Sequence, residues 1–330
     1  MAKVDRDSRA PVVHSTRVDK VGRRAQIMLY IRATISVIVA VVMLVPVFWM
    51  GITAFKSRPD AVSVPPKVFF TPTLEGFVSL LTQRAMLTPS RLEEFQKRTD
   101  LNWYERIMLE RGQEVLGVSA YVSRLKNSVI IAGGSTIAAV VLGVLAGYAF
   151  SRFDVPGEGD LLFFILSTRM LPAIVVTIPI FLMYRKLGLH DTHLGMILLY
   201  TAFNLSFSVW LLKGFIDEIP RQYEEAALVD GYTRWQAFVK VVLPNAITGI
   251  AATTVFCLIF AWNEYAFALM LTSEVARTAP PSIPAALGRG GIEWAAIAAG
   301  SLGFLIPVVI VTFALRNYLL RGVTFGAIRQ

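Results

Sequence analysis

The chain has 330 residues, 55% of them hydrophobic and only 17% charged, an apolar share above that of an ordinary soluble domain. A single cysteine rules out an intrachain disulfide, and the net charge of +9 follows the positive-inside rule and implies no nucleic-acid partner. The apolar residues gather into six blocks, at about 30–54, 129–150, 161–184, 194–212, 246–271 and 295–320, each close to the roughly 20 residues that cross a hydrocarbon core. The sequence therefore predicts an all-α integral membrane protein with six transmembrane helices, occupying 27–330.

Residues 1–26 precede the first block and carry Lys3, Arg6, Arg9, Arg17, Lys20, Arg23 and Arg24. They read as a basic cytoplasmic tail, and the first apolar run is long enough to act as an uncleaved anchor. Six spans return the C-terminus to the same side. That side also collects Arg152, Lys213, Arg221, Arg234, Lys240 and Arg316, against Arg185, Lys186, Arg277 and Arg289 in the two short outer loops. Both termini are expected to be cytoplasmic, in a bacterial plasma membrane.

The loop at 57–126 is expected outside. Its first part, FKSRPDAVSVPPKVFFTPTLEGF, is Pro-rich and reads as extended. Ser90 with Glu93 and Asn102 with Glu105 have capping-box spacing and predict helices near 90–99 and 103–114. This extracytoplasmic helical insertion is either a solvated decoration or a docking surface for an external partner. Further on, His190 and His193 flank Asp191, but no third ligand lies nearby, so no metal site is predicted. The chain has no phosphate-cradling Gly-Lys loop. It is expected to bind no cofactor, so any ATP and Mg must sit on a partner.

Between the fourth and fifth blocks lies EEAALVDGYTRWQAFVKVVLP, residues 224–244. Pro220 suits a helix start, Glu224 and Glu225 lie near its positive end, and Gly231 is placed to stop it. Thr233 with Gln236 reads as a second capping box, followed by Trp235, Phe238, Val239 and Val242 on one face. A cytoplasmic helix–Gly turn–helix is predicted across 218–244. It could enter a groove on another protein or lie on the membrane surface.

This stretch resembles the EAA motif of the membrane-spanning subunits of binding-protein-dependent ABC importers, through Glu225-Ala226-Ala227, Asp230-Gly231, Phe238 and Leu243-Pro244. LKNSVIIA, GYAFSRF, RMLPAIVVTIPIF and WNEYAFALML are similar to the maltose-type, carbohydrate-uptake branch. The resemblance covers about 28–82 and 118–330, leaving 83–117 as an insertion. Tyr232 departs from the family pattern, standing where a small residue is usual. The resemblance implies a type I ABC importer permease fold and places Glu225, Ala226, Ala227, Asp230 and Gly231 against a cytoplasmic ATPase. It further implies a second homologous permease subunit, two ATPase subunits and an extracytoplasmic solute-binding protein, all around a lipid-embedded chain.

Ionisable and amide groups inside spans mark functional candidates. Arg169, Asn204, Trp262, Asn263, Glu264 and Tyr265 could line a polar path in which aromatic faces and hydrogen-bonding groups meet a polyol. Arg169 and Glu264 could equally form an ion pair within the bundle or between subunits. Pro46, Pro172, Pro179 and Pro307 are expected to kink their spans. The resulting reading is a non-enzymatic subunit importing a sugar or sugar derivative by alternating access. The alternatives are a sugar alcohol, anionic sugar or other small polar solute on the same architecture, an ion-driven secondary transporter, and a membrane-embedded enzyme. The last lacks a paired carboxylate, His cluster or nucleophile.

Overall fold

The computed structural model describes residues 23–98, 100–283, 287–288 and 291–326; residues 1–22 of the expected basic tail lie outside them. Two units divide the chain, 1–49 and 50–330. The first consists, in its described part, of most of α1 (Arg23–Ala54), which continues unbroken through Pro46. Its apolar side chains are exposed along its length, as suits a helix whose solvent is lipid.

The second unit opens with the last turn of α1, then α2 (Arg58–Ala61) and α3 (Glu75–Leu81). The insertion follows as β1 (Thr82–Met86), α4 (Pro89–Gln96), α5 (Trp103–Leu109) and β2 (Gln113–Val118). Asn102 and Glu105 form the expected reciprocal cap. Thr88 rather than Ser90 precedes the other helix, because Pro89 takes its first position. The second helix stops at Leu109, short of 114, and Gly112 turns the chain with a φ of 65°. From there the chain pairs antiparallel with β1, from Thr82↔Val118 to Met86↔Gln113. The insertion is thus helical only in part.

The membrane body contains α6 (Tyr121–Arg152), α7 (Glu158–Ser167), α8 (Ala173–Leu187) and α9 (His193–Asp217). After these come α10 (Arg221–Val229), α11 (Arg234–Ala237), α12 (Leu243–Asn245), α13 (Ile247–Trp262), α14 (Ala266–Leu271) and α15 (Trp294–Gly326). Among the described residues four helices are individually long and apolar enough to cross a membrane, and counting each of two bent pairs as one span makes six.

Two of the apolar blocks are therefore not single rods. The third breaks between Met170 and Ala173 with a bend of 92°. Leu171, held extended at ψ 125°, precedes Pro172, whose ring disfavours helix in the preceding residue and which has no N–H to give. The fifth is entered through a 72° bend after Asn245 and interrupted again at 263–265. Pro179 and Pro307, by contrast, lie inside continuous helices.

The most intimate pairing in the body is between α6 and α9. A Cβ on Gly143 would fall 2.1 Å from Ser208 Oγ, and one on Gly147 would fall 2.9 Å from the Lys213 backbone nitrogen. Two glycines four apart thus let one helix lie directly on the backbone of the other, the usual means of helix association where lipid removes the hydrophobic drive. Ile131, Tyr184, Met196, Trp262, Phe267 and Leu271 fill one core beside this pair; Val140, Leu212, Ile216, Phe238 and Val242 fill another.

Two polar clusters fasten the connections. Asp191 (φ 54°) accepts the backbone N–H groups of Ser273, Glu274, Val275 and Ala276 at 2.9–3.0 Å. His193 Nε2 lies 2.8 Å from Asn127 Oδ1, and Asn127 donates to the Val275 and Arg277 carbonyls. The second cluster docks the insertion onto the start of α15. Glu293, 4% exposed, meets Arg84 at 2.8 Å and Arg111 at 3.2 Å, while Arg111 also meets Glu75 at 3.2 Å. Gly76 permits the approach: a Cβ there would lie 2.7 Å from the Ala295 and Ala54 carbonyl oxygens.

Candidate functional site

Two regions gather the residues singled out in the sequence. The first is the segment between α9 and α13. The α10 helix ends in a Schellman arrangement, in which Tyr232 N–H reaches the Ala227 carbonyl (3.0 Å) and Gly231 N–H reaches that of Leu228 (3.1 Å). Gly231 carries the left-handed φ of 86° that this cap requires. The chain restarts at Thr233, whose Oγ1 accepts from Gln236 N–H while Gln236 Oε1 accepts from Thr233 N–H, the reciprocal cap expected from the sequence. Phe238–Val242 form a π-helical turn ahead of Pro244, which cannot continue the backbone ladder. Tyr232 is half-exposed beneath the Lys240 ammonium, 4.8 Å from its ring centroid.

The faces of α10 differ sharply. Glu225, Ala226, Asp230 and Gly231 are exposed, together with Tyr223, Val229 and Trp235. Ala227 is instead buried at 5%, and so is Glu224 at 8%. Glu224 salt-bridges Arg152 and accepts from the Tyr148 hydroxyl at 3.0 Å. From the sequence Glu224 was given only a place near the helix's positive end, although its i, i+3 relation to Ala227 marks both as one inward face.

The second region is a cavity of about 290 Å³ lined by Arg169, Tyr200, Phe203, Asn204, Phe260 and Glu264, among others. Arg169 sits at the break ahead of α8, its guanidinium 4.0 Å from the Phe260 ring centroid and 3.4 Å from the Phe203 carbonyl, a cation–π seat. Glu264 occupies the interruption before α14, taking the Phe267 and Ala268 N–H groups at 2.8 and 3.0 Å and the Tyr200 hydroxyl at 2.7 Å. A carboxylate at a helix N-terminus satisfies otherwise unpaired donors. Arg169 and Glu264 therefore share a cavity wall without pairing. Asn204, nearly buried, gives its amide to the Cys257 carbonyl at 3.1 Å.

The other three path candidates do not line this cavity. Trp262 is buried against α15, stacked on Phe304 with centroids 4.9 Å apart and donating to its carbonyl. Asn263 is exposed and caps its own helix at Ile259, and Tyr265 is exposed. Tyr200, Phe203 and Phe260 were not singled out in the sequence, where an apolar span conceals which aromatic ring faces inward. Among the described residues no cluster of His, Cys, Asp and Glu is arranged to hold a metal.

Residues 139–325 match the family described as the inner membrane component of binding-protein-dependent transport systems. The chain belongs to that family. Among this permease's relatives, the trehalose/maltose transport system permease protein MalG of Thermococcus litoralis is 30% identical over 89% of this chain and 94% of its own length. The trehalose transport system permease protein SugB of Mycobacterium tuberculosis is 38% identical over 63% of this chain and 77% of its own. In fold, the permease resembles a chain of a bacterial ABC transporter that imports the acidic polysaccharide alginate, with a TM-score of 0.62 at 20% identity over 90% of this chain and 98% of that one. The type I importer fold and a multi-pass membrane protein follow. As a permease it is a transport subunit, with ATP hydrolysis on a separate chain.

Proposed function

We propose that this permease imports a sugar or sugar derivative by alternating access, paired with a second homologous permease, two ATPase subunits and an extracytoplasmic solute-binding protein, with both termini cytoplasmic. The sugar assignment is carried by relatives named for trehalose and maltose. A cavity in which Phe203, Phe260 and Tyr200 accompany Asn204, Arg169 and Glu264 supports it, because such walls offer stacking and hydrogen bonds to a polyol. Glu225, Ala226, Asp230 and Gly231 form the ATPase-facing surface. Their exposure beside Val229 and Trp235 supports this, since clustered exposed apolar side chains mark a docking face.

An anionic sugar is the second reading. It is favoured by Arg169, which no carboxylate among the described residues neutralises, while Glu264 is engaged by three donors.

The test is purification of the complex through a tag on this chain, followed by thermal-shift screening of neutral and uronate sugars on the co-purified binding protein. Gly231→Pro and Glu225→Lys are expected to lower uptake about tenfold or more at unchanged membrane abundance. Transport at wild-type rate in both variants contradicts the assignment.

A further inference from the structure

Resting on the assignment of α10 as the ATPase-facing segment, we infer that Glu224 is a positioning residue that passes movement of that segment into the α6–α9 pair through Arg152 and Tyr148. Three routes lead from α10 into the membrane body, one of them the direct chain link through residues 218–220 to the end of α9. The other covalent route runs through the π-helical turn at Phe238–Val242 and the 72° bend after Asn245. Both are interruptions of the regular i→i−4 ladder, where a helix bends most readily.

The third route is not covalent and is the one that reaches α6. Glu224 Oε1 accepts from Arg152 Nε and Glu224 Oε2 from the Tyr148 hydroxyl at 3.0 Å. The same guanidinium uses Nη2 to bond the Ile216 and Ile219 carbonyls at 3.1 and 2.9 Å. One cation thereby joins the end of α6, the end of α9 and the inward face of α10. Arg221 adds a bond from its Nη2 to the Ser151 carbonyl at 2.9 Å. The Tyr148 ring also packs on Phe238, centroids 4.6 Å apart, so the second arm of the segment bears on the same residue.

The Arg152 and Glu224 side chains are 6% and 10% exposed. Separating them would leave each charge poorly solvated, so displacement of α10 draws α6 and α9 with it. Because Gly143 and Gly147 seat α6 on the α9 backbone, those two helices respond together. Glu225 and Ala226 face outward; Glu224, one position earlier, faces the body. Adjacent residues thus divide the work of meeting a partner and of relaying its movement.

The test uses the complex purified with its ATPase subunits through a tag on this chain, carrying Ser123→Cys as a labelling site at the exposed start of α6, ahead of its apolar block; the native Cys257 is buried. Reaction of this site with a membrane-impermeant maleimide is expected to change on adding ATP and vanadate. Glu224→Gln, nearly isosteric, is expected to retain the ATPase subunits and their hydrolysis while reducing that change about tenfold. Reversing the pair, Glu224→Arg with Arg152→Glu, is expected to restore part of it.

A purely structural role would lower stability or yield and leave the ATP-dependent change intact in the complexes that assemble. A change of unsubstituted size in Glu224→Gln overturns the inference, as does a Ser123→Cys complex that hydrolyses ATP with no change in labelling. Failure of any ATPase to co-purify with the unsubstituted chain is a distinct result, which overturns the functional reading itself.

Discussion

Asp191 illustrates how much one side chain can hold. Burial opposes its ionisation, yet four backbone N–H groups outweigh that effect and hold its carboxyl down to about 2, from an ordinary 3.8. The depressed value means that the stabilisation is complete above about 3.8 and lost as pH falls through about 2. Asp191→Ala removes the acceptor and also places a less tolerant residue at φ 54°. It is expected to cost about 1–2 kcal/mol and to lower the detergent-solubilised melting temperature at neutral pH. Asp191→Asn, which tolerates the backbone and keeps one oxygen, is expected to lose less. Equal losses in the two would show that the acceptor geometry contributes nothing.

At the scale of elements, close approach and interruption matter more than apolarity. Replacing Gly147 by Val puts carbon where the α9 backbone already lies, and the two helices must separate. We expect a loss of about 1–3 kcal/mol, read as a lower melting temperature and poorer yield. Gly133 and Gly214, with open space at the Cβ position, should accept alanine with little change. The same distinction explains what could be read in advance. The blocks that cross the membrane, the caps at Asn102 and Thr233 and the turn at Gly231 all follow from local chemistry, and local chemistry is written along the chain. The pairing of β1 with β2 was hidden, because Thr82 and Val118 are far apart in sequence and each strand alone is short and irregular. The break at Pro172 could be anticipated as a kink but not as a 92° turn, which depends on what receives the chain afterwards. Within the cavity, Arg169, Asn204 and Glu264 were legible because charge and amide are rare in spans. Glu224 was hidden beside Glu225, since only the docked helix shows which of two adjacent acids turns inward.

For the molecule as a whole, the docking of the insertion depends on charge. Burial opposes ionisation of Glu293, but hydrogen bonds and charge from Arg84, and the charge of Arg111, hold its carboxyl below the usual range. The contact is therefore expected to persist above pH 4.5 and to weaken as pH falls through the lowered value. Glu293→Gln at neutral pH leaves two guanidinium groups without their shared partner and is expected to cost about 3 kcal/mol. Limited proteolysis between residues 86 and 113 should then accelerate while the spans stay intact; an unchanged cleavage rate would mean that the Arg111–Glu75 pair and the packing of α3 suffice to fix the insertion.

Because Thr82 pairs with Val118, the polypeptide leaves the body and returns to it at one point, the geometry of a removable cassette. Evolution or an engineer can splice such a cassette in or out without moving the span that follows. Arg84 and Arg111 both travel with it, whereas Glu293 stays behind. Excision of 83–117 thus leaves the buried acid with Arg58 as its remaining cationic neighbour, and a viable deletion is expected to gain from a neutral residue at 293. Combined with Glu293→Gln, a deletion of 83–117 should therefore melt higher than the deletion alone, a dependence between two sites more than 170 positions apart.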